Sequence, residues 1–208
     1  MKKYLKKTVP TITILFIGLN LFAQNEIASE KNFQQLQNTI SNVNQSSFEL
    51  KGYEGRAVQK IQEFADYIQI ISNGEYDMTF REHALAMAKK MFYNEKVKIG
   101  NSDKFISSFK TMELNDYLNA FLKTGYTKIA VEIQDQQYVE NLSQNKSNAY
   151  SGKLLFNQTS SYFKDNLVQN STSEKKEVDI VLQMTEKNFG KKTKSVWNVY
   201  LGDIRVVE

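Results

Sequence analysis

The chain has 208 residues with 27 basic and 23 acidic side chains, one histidine and no cysteine. Without cysteine it can form neither a disulfide framework nor a thiolate zinc site, and it cannot carry the acylated cysteine of a bacterial lipoprotein. All four excess positive charges are lysines near the N-terminus, so residues 24–208 are neutral. Nucleic-acid-binding domains carry a clustered basic surface, and we therefore expect no nucleic-acid partner.

The N-terminus has the three-part pattern of a secretory signal peptide. A cationic start precedes an apolar run, residues 8–22, and the small residue Ala23; the cationic residues are Lys2, Lys3, Lys6 and Lys7. The run contains Pro10, Gly18 and Asn20, and it is shorter than the about 20 apolar residues of a membrane-spanning helix. We predict that residues 1–23 are removed, which leaves a periplasmic or secreted protein with no membrane contact.

After this leader, apolar residues recur at intervals of three and four, the period of an amphipathic helix. A first helix with a narrow apolar stripe is predicted over about residues 29–46, within an N-terminal segment of helix and linker, residues 24–54. A second helix with a broader stripe is predicted over about residues 56–72. The dipeptide Asn73-Gly74 is typical of a helix end.

Two further helices are predicted before Gly125, where the apolar period changes. One begins at about Thr79, where Thr79 and Glu82 have the spacing of a capping box, and it places Phe80 on its apolar face. A shorter helix is predicted over about residues 113–123. Gly125 follows it at the position of a left-handed C-cap.

Beyond Gly125 the apolar period changes from near 3.6 to 2, which indicates strands with one buried face. Polar stretches over residues 134–148 and 166–176 are predicted to connect these strands. The strands themselves are predicted over about residues 128–133, 149–163, 178–184 and 193–207. Consecutive strands joined by turns indicate an antiparallel sheet.

Helices followed by strands predict an α+β domain over residues 55–208, with three or four N-terminal helices packed on a curved antiparallel sheet of about four to six strands. This element order, with its closing strand over residues 195–206, resembles the nuclear transport factor 2-like fold, a cone in which a curved sheet wraps around helices. The leader and the Lys- and Asn-rich composition resemble exported proteins of the Bacteroidetes type.

Members of that fold family include small-molecule isomerases, dehydratases and cyclases, and also binding or assembly modules without catalysis. The enzymes use a His, Asp or Tyr inside the cone for proton transfer. The resemblance therefore implies an alternative function for this chain, a small enzyme that uses His83 with Asp66 or Asp116. Helical spacing places both aspartates beside the apolar stripes rather than on them, which favours solvated positions. His83 falls between the apolar face and the solvent side of its helix, where a boundary residue that bonds a backbone carbonyl is the alternative to a catalytic role.

Motifs for metals, phosphates and nucleophilic catalysis are absent from the sequence. One histidine and no cysteine leave only carboxylates as metal ligands, and no Asp-x-Asp-x-Asp-Gly calcium spacing occurs. No glycine-rich phosphate loop and no Ser/His/Asp set can be assembled. We expect neither a metal nor a cofactor.

Aromatic residues are the candidate contacts to a ligand or partner. Side chains alternate between the two faces of a strand, so Trp197 and Tyr200 are predicted on opposite faces, as are Tyr162 and Phe163. The predicted binding residues are Tyr67, Tyr117, Tyr162, Trp197 and Tyr200. Packing in the core is the alternative for each of them.

From these features we predict an exported, periplasmic, non-catalytic domain that binds a small ligand or an envelope protein through its concave sheet or first helix. The alternatives are the enzyme above and a homodimeric envelope module paired through outer sheet faces. An enzyme requires an enclosed cavity with converging titratable groups, whereas a binding module requires an open groove. A dimer requires an exposed apolar sheet face.

Overall fold

The computed structural model describes residues 50–145, 149–190 and 192–207, with the side chain of Phe189 excepted. These residues belong to one compact unit, Leu50–Glu208. The predicted leader and the predicted helix over residues 29–46 lie outside the described residues. The domain is α+β, as predicted, with three helices and a curved six-stranded sheet in the described part.

Helix α1 covers residues 50–72 and ends where Asn73-Gly74 was predicted to end it. Its buried residues lie at helical spacing along one stripe and face the sheet: Ala57, Ile61, Phe64, Ala65, Ile68 and Ile71. None of the helices in the described ranges is both long and apolar enough to cross a membrane.

Helix α2, Met78–Lys89, begins differently from the prediction. Its N-cap is Asp77, whose carboxylate accepts a hydrogen bond from the Phe80 backbone N–H at 2.9 Å. The predicted capping box of Thr79 and Glu82 is therefore wrong, because a carboxylate two residues earlier already satisfies the first turn. Phe80 itself is 46% exposed rather than part of the buried face.

Helix α3, Leu114–Leu122, is close to its predicted bounds and is capped at its C-terminus by Lys123. The predicted left-handed conformation at Gly125 is not found, since Gly190 is the glycine with positive φ among the described residues. A backbone hydrogen bond from Lys123 N–H to the Asn119 carbonyl closes the last turn instead.

Six strands form the sheet: β1 Lys98–Gly100, β2 Thr111–Glu113, β3 Lys128–Gln144, β4 Tyr150–Lys164, β5 Leu167–Phe189 and β6 Lys192–Val206. Their spatial order is β2-β1-β6-β5-β4-β3. The four long strands pair antiparallel, as predicted, but β1 runs parallel to β6, so the sheet is mixed. Strands β1 and β2 were not predicted, because three residues are too few to show a period.

The strands are also longer than predicted. Most of the polar stretches over residues 134–148 and 166–176 belong to β3 and β5 and not to loops. Their backbones pair with β4, and polar side chains meet across the strands, as in the 3.3 Å hydrogen bond from Thr159 Oγ1 to Ser173 Oγ. Backbone pairing holds these segments as strands although their side chains lack apolar alternation.

The inner face of β4 and β5 changes character along its length. Beside the start of α1 it is apolar, with Leu154 beside Val178, and nearer the centre of α1 it becomes polar, with Gln158 beside Glu174. Helix α1 also covers the outer edge of β3. The Ser72 hydroxyl accepts a hydrogen bond from the Ile129 N–H at 3.2 Å and donates to the Ile129 carbonyl at 3.3 Å.

Candidate functional site

The three residues predicted for catalysis lie apart from one another on the surface. His83 on α2, Asp66 on α1 and Asp116 on α3 are all exposed, as predicted for the two aspartates, whereas His83 was predicted at the boundary of its apolar face. Asp66 accepts a long hydrogen bond of 3.5 Å from the Gln69 amide. Within the residues described, no hydrogen bond or ion pair joins His83 to either aspartate.

Two of the predicted binding tyrosines belong to the core. Tyr117 is 1% exposed and packs edge-on against Phe121, with ring centroids 5.0 Å apart. Tyr162 is 0% exposed and lies between the rings of Phe105 and Tyr126. Tyr67 is half-buried against the same core. Tyr117 and Tyr162 thus offer no accessible surface to a partner.

These tyrosines belong to a polar cluster that we call the buried polar cluster. Its buried members are Tyr117, Tyr162, Asp103, Glu174 and Lys176, and they are joined by the half-buried Thr172 and the exposed Ser102. The carboxylate of Asp103 accepts hydrogen bonds from the Tyr162 hydroxyl and, at 2.6 Å, from Thr172 Oγ1. Burial, together with the hydrogen bond to Asp103, raises the pKa of the Tyr162 hydroxyl and keeps it protonated.

The ion pair of this cluster is fully enclosed. Lys176 Nζ lies 2.7 Å from Glu174 Oε2, and Glu174 Oε1 accepts hydrogen bonds from the backbone and hydroxyl of Ser102, both at 2.5 Å. Burial opposes the charge on Glu174, but the Lys176 ammonium and the Ser102 donors outweigh it and lower the pKa of that carboxyl.

The pKa of Lys176 is raised, because its interactions with Tyr117 and Glu174 outweigh the effect of its burial. No buried side-chain polar atom in the described ranges lacks a hydrogen-bond partner. The buried polar cluster therefore fastens the segment over residues 101–110 to the sheet, and its hydrogen-bonding capacity is already used within the fold.

An open groove lies between α1 and β6, with a cavity volume of about 620 Å³. This size falls within the roughly 300–1,000 Å³ of typical ligand sites. We call it the β6 groove; it is lined by Arg56, Gln59, Lys60, Glu63, Lys90, Lys187, Trp197, Asn198, Val199 and Tyr200.

One wall of the β6 groove is a strand edge that has no pairing strand among the described residues. The Leu201 N–H donates to the Met91 carbonyl at 2.9 Å, and the Leu201 carbonyl accepts from the Tyr93 N–H at 3.0 Å. Backbone groups alternate in direction along a strand, so those of Val199 and Trp197 point to the same side as those of Leu201. On that side no described strand pairs with β6 before Leu201.

Positive charge dominates the β6 groove. Arg56, Lys60, Lys90 and Lys187 face one carboxylate, that of Glu63. None of the four basic side chains forms an ion pair within the described part of the chain. Burial lowers the pKa of Lys60, the Glu63 carboxylate offsets part of this shift, and the Lys187 ammonium lowers it again. An anion entering the groove would relieve this repulsion.

Two predicted binding residues, Trp197 and Tyr200, meet in this groove. Both are half-buried, and the Trp197 ring packs edge-on against Tyr150 with centroids 5.5 Å apart. The indole therefore has a fixed position at the groove wall. Sequence reasoning missed the basic residues of α1, although the i, i+4, i+7 spacing of Arg56, Lys60 and Glu63 places them on one helix face.

A second groove, of about 710 Å³, lies between the 98–111 segment and the end of β6. Two of its basic side chains are already neutralised. Lys98 Nζ is 2.9 Å from Glu113 Oε1, and Arg205 binds both Glu177 and Asp179, which raise the pKa of its guanidinium. Among the described residues, this groove therefore has fewer basic side chains without an ion pair than the β6 groove.

No protein-family model matches this chain, and no curated protein matches it either. Among solved structures, a periplasmic fragment of TraM is similar, with a TM-score of 0.42 and 9% sequence identity. The similarity covers 71% of this chain and 95% of that fragment. The ligand and partner of this chain must therefore be argued from its own residues.

Proposed function

We propose that this protein is an exported, periplasmic, non-catalytic domain with a nuclear transport factor 2-like cone, and that its β6 groove binds an acidic ligand or envelope protein. The observation that carries the proposal is the set of four basic side chains that form no ion pair with any described residue and lie beside two aromatic rings. The export and the periplasmic location are supported by the signal-peptide pattern of residues 1–23.

Charge and shape favour binding over catalysis at this place. The groove is open, and it holds four cationic side chains that attract an anion against a single carboxylate, that of Glu63. Trp197 and Tyr200 add flat apolar surface with polar edges, which is typical of binding anchors. Recognition by charge and stacking requires no bond to be made or broken.

A titration with benzene-1,3,5-tricarboxylate tests the proposal, since this probe combines an aromatic ring with three carboxylates. Trp197 is the single tryptophan of the chain, so its fluorescence reports on the groove directly. We expect the probe to change Trp197 emission and its affinity to fall with added salt. The double variant Lys60→Gln with Lys187→Gln should weaken binding roughly 3- to 20-fold.

The matched control is Lys164→Gln, which removes an exposed lysine at the opposite end of the β4–β5 pair from the groove. Its binding should equal that of the wild type. If the double variant binds as tightly as the control, the basic side chains of the groove do not recognise the anion and the proposal is wrong.

A further inference from the structure

We infer that the ligand of the β6 groove is an extended acidic polypeptide segment that joins the sheet as an additional strand beside β6. This inference rests on the proposed function and specifies its partner. Strand addition at a free sheet edge uses main-chain hydrogen bonds for affinity and alternate side chains for specificity.

The free edge extends well beyond the groove. Pairing of β6 with β5 is regular from Lys192 to Leu201, so the alternation fixed at Leu201 continues without a shift. The outward N–H and carbonyl groups are therefore those of Thr193, Ser195, Trp197 and Val199. They span about 20 Å at roughly 3.3 Å per residue, which matches an extended segment of about seven residues and exceeds a small ligand.

The opposite edge of the sheet is protected in a way that this one is not. Along β3, Ser72 bonds both backbone groups of Ile129, and the Gln62 amide donates to the Ile133 carbonyl at 3.2 Å. Helix α1 thus supplies the hydrogen bonds that a neighbouring strand would give. Exposed edges are ordinarily blunted because they template pairing with other chains, and the edge of β6 before Leu201, which no described residue covers with backbone hydrogen bonds, is open to such pairing.

Charge identifies the segment as acidic. Lys187 lies directly opposite Lys194 in the β5–β6 register, and like charges at such positions repel. Lys192 adds a further positive charge on the same strand, and Lys60 faces the edge from α1. Glutamate or aspartate at alternate positions of an added strand would neutralise these lysines. A second copy of β6 would bring Lys192 and Lys194 and no carboxylate over residues 192–201, so it would not neutralise this charge.

The experiment compares three probes by Trp197 fluorescence on the full mature chain. The first is an end-capped octapeptide of alternating Glu and Val, the second is the same peptide with every backbone nitrogen methylated, and the third is benzene-1,3,5-tricarboxylate. The methylated peptide keeps its charge but has no N–H donors. We expect the unmodified peptide to bind at least about tenfold more tightly than the methylated one, because several backbone hydrogen bonds are lost.

A pair of variants tests the same edge from the protein side. Ser195→Pro removes an outward N–H without removing a hydrogen bond to β5, whereas Ser195→Ala changes only the exposed side chain. We expect Ser195→Pro to weaken the octapeptide at least about fivefold while leaving tricarboxylate binding unchanged, and Ser195→Ala to behave as the wild type. A thermal melt checks that both variants are folded.

The outcomes separate this inference from the proposed function. Equal binding of the two peptides, with tricarboxylate also bound, overturns strand addition but leaves an acid-binding groove. Absence of binding by all three probes overturns both. Self-association that Ser195→Pro abolishes would mean that a second copy occupies the edge, and this too would overturn the acidic-segment inference.

Discussion

Lysines occur in two contrasting settings in this domain. In the buried polar cluster, Lys176 is 1% exposed and its ammonium is held by Glu174, while every neighbouring donor and acceptor has a partner. In the β6 groove, Lys60 and Lys187 repel each other, Glu63 acts on Lys60 from nearby, and neither lysine has an ion pair with a described residue. Compensated charge fixes the fold, whereas uncompensated charge remains available to a partner.

The largest expected effect is on stability, from the variant Lys176→Met. It would leave the Glu174 carboxylate buried with only the Ser102 donors, and removal of one member of a buried ion pair costs about 3–5 kcal/mol. Urea unfolding should show this loss, while Lys175→Met at the adjacent exposed position should change stability by less than about 0.5 kcal/mol. Similar unfolding midpoints for the two variants would show that the pair does not hold the fold.

The variant Tyr162→Phe should have the next largest effect. It removes the hydroxyl that donates to Asp103 and leaves a buried carboxylate with one donor fewer, at a cost of about 1–3 kcal/mol. Tyr126→Phe is the control, because the Tyr126 hydroxyl accepts its hydrogen bond from Asn170 at a part-buried position. Equal free energies of unfolding for the two variants would argue against a tightly bound cluster.

Acid should act on the cluster through Glu174. Its pKa is lowered in the folded state, so its contribution to stability is complete above the unfolded value of 4.5 and is lost as the pH falls through the folded value. Glu174→Gln should therefore give a shallower decline in unfolding free energy below about pH 4.5. Parallel declines in the two proteins would show that this carboxyl has the same pKa folded and unfolded.

The smallest effect on stability is expected in the β6 groove. Lys60→Gln with Lys187→Gln removes the repulsion between these lysines together with the attraction of Lys60 to Glu63, and it breaks no ion pair among the described residues, so the free energy of unfolding should stay within about 0.5 kcal/mol of the wild type. A loss above about 1 kcal/mol would mean that these lysines stabilise the fold and are not held ready for a partner.

Much of the fold was predictable because its signals are local. The stripe of α1, the turn at Asn73-Gly74 and the alternation after Gly125 each depend on a few neighbouring residues. The β5 segment containing Glu174 and Lys176 was predicted as a loop. Its strand conformation depends on pairing with β4 and on a buried ion pair, neither of which is visible in apolar periodicity.

The candidate site was predictable only in part. Alternation along the last strand predicted Trp197 and Tyr200 on opposite faces with one of them in the core, whereas both are half-buried and line the β6 groove. The free edge beside them was not predictable, because it depends on the shortness of β1 and on where that strand pairs with β6. The approach of Arg56 and Lys60 to that edge is likewise a tertiary contact between distant parts of the chain.

The most direct measurement is a fluorescence titration of Trp197 with the Glu-Val octapeptide at about 50 and about 300 mM salt, in the wild type and in the Lys60→Gln, Lys187→Gln variant. We predict a saturable change in emission that weakens with salt and weakens several-fold in the variant. Emission that does not respond to the peptide, or an affinity that neither salt nor the double substitution alters, would contradict the assignment of this groove as an acid-binding site.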